Sequence, residues 1–599
     1  EEIYNCIPDK EKCNWCPSWN WGDDEIFNPE ADNRMTHQAD LGNFRYIWNN
    51  GSGGNWLYKP NSSPTSTNKF DHSLWGHVWY CIRKANVGLE ALEAGKMVNG
   101  SKEEKDLIAG QLYFFRAWWH FEMINWVGGL PYIDKAFEAN EPLNLPRLSY
   151  QECADKCAED FRRAADLLPI NWDDTSTGKA TSGKNMLRIN KLMALAYLGK
   201  CYLWAGSPLM EHGAQLGAIA SGKTYAYNTE YMNKASEALG ELLALVEAGQ
   251  TQYALAEFNY SDIYNHTKAP DATTSYSDNF YTRKQNWRQP GTVEAIFRGP
   301  SHDFNGSHWN TSKVFGPKVK GLVEHDNVIH QPTANAVNMY GMANGLPLDH
   351  PESGFDPNFP FKDRDPRFYH DIVFDGFQYI HGAAGDREAY VYCQLFTGGN
   401  MRPVANGSRT GYFIQKLVPH TCNVIDRDYD WGSAVHVYLP YMRLADVYLM
   451  YAEATAAKDA GFSRSNKASN CNLTSEAAVN KVRARCGAGE VHAKFTGEQY
   501  MDEIRRERAV ELMFEGHRFN DLQRWLLLTE APYTQKYSHE FTRVNDADWY
   551  KSNDPKDAQV VGLRKQLILE RNFDTKHYWF PLPDSEVYLY EAFPQNPGW

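Results

Sequence analysis

The chain has 599 residues, with 61 Lys+Arg against 75 Asp+Glu and a formal net charge of −14. That balance argues against nucleic-acid binding, which needs a basic face for phosphates. No run of eighteen apolar residues occurs, so nothing in the sequence reads as a membrane-spanning helix. Aromatic residues make up 14%, including 19 Trp and 35 Tyr, more than a helical core requires. Tyr and Trp join an apolar face to a polar tip and suit half-exposed binding surfaces, although most of these rings are expected in the core.

In chain order, Cys13 and Cys16 form one CxxC, and Cys153 and Cys157 sit one helical turn apart. No second CxxC or paired His follows at finger spacing, so local disulfides or free thiols are expected, with no metal and no cofactor. Leu112, Phe115, Trp119 and Met123 recur near 3.6 residues and predict a helix. Gly178 to Lys184 (GKATSGK) nearly spells a phosphate loop. Asn185 stands where the magnesium-binding hydroxyl belongs and no apolar strand precedes it, so a turn leading into a helix over 187–206 is expected. That helix carries Leu192, Leu195, Ala196, Gly199 and Leu203, whose small members allow close approach of a neighbour. Leu444, Val447, Tyr448, Tyr451 and Ala452 form a broad apolar stripe. A further helix is predicted from Thr496, where Thr496 and Gln499 spell a capping box, to Gly516.

That last helix holds Glu503, Glu507, Glu511 and Glu515, four apart on one face. Like charges so spaced repel by a few tenths of a kcal/mol per pair, and Arg505, Arg506, Arg508 and Arg518 are the expected compensation. Arg508 also lies on the apolar stripe between Ile504 and Leu512, so it must be buried and paired. The column reads as a structural ion-pair network, not as a glycosidase acid/base couple. Between the helices, 49–72, 257–315, 345–435 and 531–577 lack period and are rich in Gly, Pro, Asn, Asp and Tyr. Loops of this length are usually functional or disordered, and their rings argue for ordered, working loops.

One-striped helices with small packing positions must stack in pairs to bury their faces. At the motif level the sequence resembles the SusD/RagB family from about Trp75 to the last residue. The resemblance is carried by Trp75–Asn86, by Phe115–Pro131 (FRAWWHFEMINWVGGLP), by Leu187–Pro208 ending in YLWAGSP, and by Gln331–Phe368 with Arg364-Asp365-Pro366-Arg367-Phe368. Arg443–Ala454, Glu507–Trp525 and the ending Gln595-Asn596-Pro597-Gly598-Trp599 complete it. It implies a mainly α fold of about four tetratricopeptide-like helix pairs with long irregular loops, as one domain over 1–599. The helical scaffold would occupy about 70–250 and 436–530, and a loop-rich ligand side about 251–435 and 531–599.

The resemblance further implies a non-catalytic, lipid-anchored protein at the outer-membrane cell surface. It would capture oligosaccharides and deliver them to a SusC-like TonB-dependent transporter. Oligopeptide capture is the alternative within the family; a cryptic hydrolase or a scaffolding protein is the alternative from another class. The chain opens at Glu1 without a leader-like stretch, as a mature chain would, and the lipidated cysteine would precede it. Family ligand sites use rings from a loop before the early Trp helix and from mid-chain loops. Here those regions hold Trp56 and Tyr58, then Tyr276, Tyr281, Trp287 and Trp309, with Asn55, Asp303 and Asn310 to orient hydroxyls. Trp75 falls on the helix itself and is expected to be structural.

Overall fold

Eight helices of twelve or more residues account for the scaffold among the described residues. They are α1 (Leu74–Glu93), α2 (Lys102–Val127), α3 (Tyr150–Leu167), α4 (Lys191–Ala205), α5 (Thr229–Glu247), α6 (Leu444–Ala456), α7 (Ser475–Cys486) and α8 (Glu498–Glu511). The structure is a computed structural model. It describes residues 2–7, 23–28, 35–45, 74–211, 225–259, 274–283, 293–298, 302–303, 330–403, 407–427, 435–437 and 440–599. Each helix packs on the next along the chain, α1 on α2, α2 on α3, α3 on α4 and α4 on α5. The stack continues after the long insertion through α6, which packs on α5, α7 and α8. Stacked antiparallel pairs of this kind are the tetratricopeptide-like arrangement that the one-sided stripes require.

Local chemistry sets the helix starts. Ser101 and Ser149 open α2 and α3 with capping boxes. Each Ser hydroxyl accepts from the N3 amide of Glu104 or Glu152, while that Glu accepts from the Ser amide. Asn190, Asn228 and Thr474 cap α4, α5 and α7. Gly199 sits where a Cβ would overlap the Leu239 side chain, so its small size lets α4 and α5 close on each other. Trp75 is buried and lies edge-on to Trp79, a core role.

Three expectations change. The capping box at Thr496 does not form: α8 begins at Glu498 after Gly497, whose φ of 58° no Thr cap would favour, and it ends at Glu511. Gly516 instead closes the turns that lead into the short helix Arg518–Arg524. The helix expected from 187 starts at Lys191, because the stretch before it is a run of turns. There the Asp173 carboxylate accepts from the Gly183 amide at 3.0 Å and the Asn185 side chain at 2.5 Å. A loop already filled by its own carboxylate has no use for a phosphate. Finally, 531–577 is not a loop but contains the longest strand pair, β10 (Gln535–Arg543) against β11 (Val560–Glu570). Its buried positions include Lys536, Ser538, His539 and Glu540, so no apolar alternation marked it.

Short strands complete the inventory: β1 (Ile26–Phe27) pairs β5 (Gln331–Pro332), β3 (Ala295–Arg298) pairs β9 (Pro440–Arg443), and β6 (Ile372–Val373) pairs β7 (Phe413–Ile414). Around them a second apolar core forms beside the helical one, with Phe361, Phe368, Phe374, Phe377 and Phe541 at its centre. The Arg364–Phe368 motif ties it together. Arg364 donates to the carbonyls of Gly341 (2.9 Å), Pro360 (2.9 Å) and Val337 (2.8 Å), and Asp365 caps the helix Pro366–Asp371. None of the nine cysteines among the described residues is in a disulfide and all are buried, Cys153 and Cys157 included; Cys13 and Cys16 lie outside the described residues.

Candidate functional site

A three-stranded sheet gathers the mid-chain segments. β2 (Tyr281–Arg283) and β4 (His302–Asp303) flank β8 (Val435–Val437) and run antiparallel to it, with Arg283 opposite Val435 and Asp303 opposite His436. Two strands antiparallel to one neighbour are parallel to each other. The chain therefore leaves β2 and β4 at the same end of the sheet, the end at which it enters β8. Trp287 follows β2 by four residues, and Trp309 and Asn310 follow β4 by six and seven. These three residues, with Asn55, Trp56 and Tyr58, lie outside the described residues; Asp303 is placed by its backbone in β4.

Tyr276 and Tyr281 differ from expectation. Their exposures are 1% and 2%, so neither offers a ring face to a ligand. Tyr276 meets Phe258 (5.0 Å), Phe280 (5.5 Å) and His370 (4.9 Å) edge-on, and the Arg485 guanidinium lies 4.7 Å from its centroid. Both rings belong to the second core. The aperiodic run Tyr-Ser-Asp-Asn-Phe-Tyr gave no means of separating inward rings from outward ones.

Behind this sheet the α8 carboxylate column forms a buried network, as its spacing implied, but with different cations. Arg483 holds Glu503 and Glu507 (2.8 Å to the latter), and Arg367 holds Glu507 (2.5 Å) and Glu511 (2.9 Å). Arg443 reaches Glu511 (2.6 Å), Glu515 (2.7 Å) and Glu294 (2.7 Å). Arg485 bridges Glu294 and Glu511, and Lys416 meets Glu515 at 2.9 Å. Of the four arginines expected to compensate the column, only Arg506 does so, on Glu503. Arg505 pairs with Asp502 and Arg518 with Asp24. Arg508 is buried and paired, with Asp446 (2.7 Å) and Asp521 (3.1 Å).

Burial pushes the Glu503, Glu507 and Glu511 carboxyls up, and the surrounding guanidinium groups more than reverse it. Glu503 falls to about 2, and Glu507 and Glu511 lie below the usual carboxylate range. A glycosidase acid must be held up instead, the reverse of what Glu503, Glu507 and Glu511 show. The column's geometry supplies rigidity. Glu294 precedes β3 and Arg443 ends β9, and Glu294 also accepts from the Ala256 amide (3.0 Å) and the Asn279 side chain (3.3 Å). The segments feeding the sheet are thereby pinned to the helical scaffold. Sequence reasoning missed Glu294, Arg367, Arg443, Arg483, Arg485 and Lys416. The available signal was a lone charge in an apolar run, as in Val293-Glu294-Ala295-Ile296.

A sequence model described as "SusD family" matches residues 293–599, and one described as "Starch-binding associating with outer membrane" matches 29–203. The chain belongs to the SusD family. Its association with the outer membrane follows from that second description. Among curated relatives, the "SusD-like protein P2" of Formosa agariphila is 25% identical over 166 residues, 28% of this chain and 30% of that one. The match thus spans under a third of that relative's length. Among solved structures, a SusD-like protein from Bacteroides fragilis superposes with a TM-score of 0.65 at 20% identity, covering 100% of this chain and 95% of that one. A laminarin-binding SusD-like protein superposes at 0.53 with 17% identity, over 100% and 97% of the two chains. These structures share the SusD fold, and with it the helix pairs. No helix among the described residues is long and apolar enough to cross a membrane, and no group of His, Cys, Asp or Glu among them could hold a metal ion.

Proposed function

We propose that this SusD-family chain captures oligosaccharides at the cell surface, breaks no bond in them, and passes them to a SusC-like TonB-dependent transporter in the outer membrane, to which a lipid anchor preceding Glu1 holds it close. The reading rests on family membership and is favoured by the laminarin-binding neighbour and the starch-binding description. The observation that carries it is topological: the segments bearing Trp287 and Trp309 leave one end of one small sheet, whose supports are pinned by the Glu294–Arg443–Glu511 network. In this reading Trp287 and Trp309, with Trp56 and Tyr58, stack on sugar faces, while Asn55, Asp303 and Asn310 orient hydroxyls.

A sugar ring that buries ~50 Å² on an aromatic face gains about 1 kcal/mol. Several rings are therefore needed for useful affinity after association costs, and the result is weak, releasable binding suited to delivery. The test is affinity electrophoresis in gels cast with soluble starch, laminarin, xylan or galactomannan. At least one polymer retards the chain, and Trp287→Ala with Trp309→Ala lowers that affinity at least tenfold without a change in circular dichroism. Full affinity in the folded double variant removes these two rings from the site.

A further inference from the structure

The two strands of the long ribbon differ in how their outer edges are covered. On β10 the Tyr537 amide donates to Asn335 (3.0 Å), the His539 amide to the Thr410 carbonyl (3.0 Å) and the Phe541 amide to Thr397 (3.1 Å). Asn335, Arg402 and Thr397 in turn donate to the carbonyls of Gln535 (2.9 Å), His539 (3.0 Å) and Phe541 (3.0 Å). The odd-numbered residues of β10 thus turn their backbone groups away from β11, and the even-numbered ones turn theirs toward it.

Register carries this pattern across the pair. Lys565 stands opposite His539, and Leu567 opposite Tyr537. Facing residues of an antiparallel pair either bond each other or both turn outward. Lys565 and Leu567 therefore point their N–H and C=O groups to the far side of β11, where among the described residues no group meets them. Irregularities in the ladder near Gly562, whose φ is 69°, and at Ile568 bound the open stretch as Arg564–Leu567.

The side chains there are as open as the backbone. Arg564, Lys565, Gln566 and Leu567 are all exposed, Leu567 by 45%. Neither Arg564 nor Lys565 has an ion pair among the described residues. Glu540, which stands opposite Arg564, is taken by Arg402. Arg364 and Arg402 join Lys565 in acting on the buried His539 ring, so cations gather at this edge of a chain whose net charge is −14.

We propose that the open edge of β11 docks an extended, carboxylate-bearing segment of a partner protein, which adds to the ribbon as a third strand. The site is separate from glycan capture and does not rest on it. An edge of unpaired N–H and C=O groups selects an extended peptide backbone, and two unpaired cations select acidic side chains on it. A second copy of this chain fits poorly, since twofold pairing of β11 with itself would set Arg564 and Lys565 against their own like charges. Four backbone bonds hold a free peptide at about millimolar strength. A segment carried by a protein already held nearby gains from effective concentration, so the edge suits a partner and not a nutrient peptide.

The experiment uses the full chain and a fluorescent peptide, Thr-Glu-Val-Glu-Val-Glu-Thr, read by anisotropy. Three control peptides are N-methylated at every residue, or carry Lys for Glu, or carry Ser for Glu. Binding of the Glu peptide is expected at about millimolar concentration, with slower hydrogen exchange at the Lys565 and Leu567 amides. N-methylation should weaken it about tenfold, and the Lys and Ser peptides should bind about threefold to tenfold more weakly. Arg564→Glu with Lys565→Glu should reverse the preference toward the Lys peptide. Equal binding of the N-methylated peptide to the native chain overturns strand addition. Equal binding of the Ser peptide makes the edge a general peptide receptor and overturns the partner. Dimerisation of the native chain in ultracentrifugation, abolished by Lys565→Pro, gives the edge to a second copy and overturns it too. So does absence of binding by the Glu peptide, or binding indifferent to the paired Glu substitutions.

Discussion

The helical scaffold and the floor of the candidate site are held by different forces. In the scaffold, apolar stripes meet across α1 to α8, and a buried charge such as Arg116 is closed in a small set, with Asp160 (2.6 Å). At the floor, between α8 and the second core, carboxylates share several cations and each cation serves several carboxylates. A small set can lose a member and disturb little else. A shared network cannot, since removing one carboxylate strands buried guanidinium groups on different elements at once. The floor therefore behaves as one rigid unit, which suits a surface that must present rings from several loops in fixed register.

The comparison breaks most visibly at Glu511. Glu511→Gln leaves Arg367, Arg443 and Arg485 short of a buried partner, and a loss of about 3–5 kcal/mol is expected from urea unfolding. Hydrogen exchange should speed up across 274–283, 293–298 and 435–443 while α1 to α4 keep their protection; uniform loosening would remove the distinction between the two regions. Next comes overpacking in the scaffold. Gly199→Leu forces α4 from α5 and should cost about 1–3 kcal/mol, with faster exchange in those helices and not at the floor. The smallest effect is Ser149→Ala, a lost cap worth about 1 kcal/mol, confined to the first turn of α3.

Acid separates buried histidines from the carboxylate network by its order. His120 in the scaffold is neutral, its Nε2 accepting from the Ile133 amide (3.0 Å) and its Nδ1 donating to the Arg116 carbonyl (2.8 Å), and burial holds it at about 3. His420 and His539 are likewise held at about 3 by burial. A histidine whose folded value is depressed adds stability above its unfolded value near 6.5, and that stability drains as pH falls toward 3. With three such groups, stability should fall by roughly 4 kcal/mol per pH unit between about 6 and 4. The Glu503, Glu507 and Glu511 contributions, also from depressed values, are lost below about 4.5. A denaturation series from pH 7 to 3 that stays flat to pH 4 would contradict this ordering.

How much of this was legible in the sequence follows from the forces involved. Apolar stripes repeat, so α2, α4 and α6 could be read from Leu112, Leu192 and Leu444 and their partners. The floor is polar and its partners are distant in sequence; Glu294 and Arg443 are joined by folding alone, and no spacing announces them. Arg508 was readable as buried and paired because its own stripe surrounds it, yet its partner Asp446 was not. The same limit applied at the site. Tyr276 and Tyr281 are aromatic in an aperiodic run, and composition cannot separate a ring that fills a core from one that meets a sugar.

The account stands on glycan binding without chemistry, and one measurement meets it directly. Purified chain is titrated calorimetrically with the polymer that retards it, and the polymer is then recovered and sized by chromatography. Saturable heat with undiminished chain length is the predicted result. No heat with any of the polymers, or shortened chains after incubation, would contradict it.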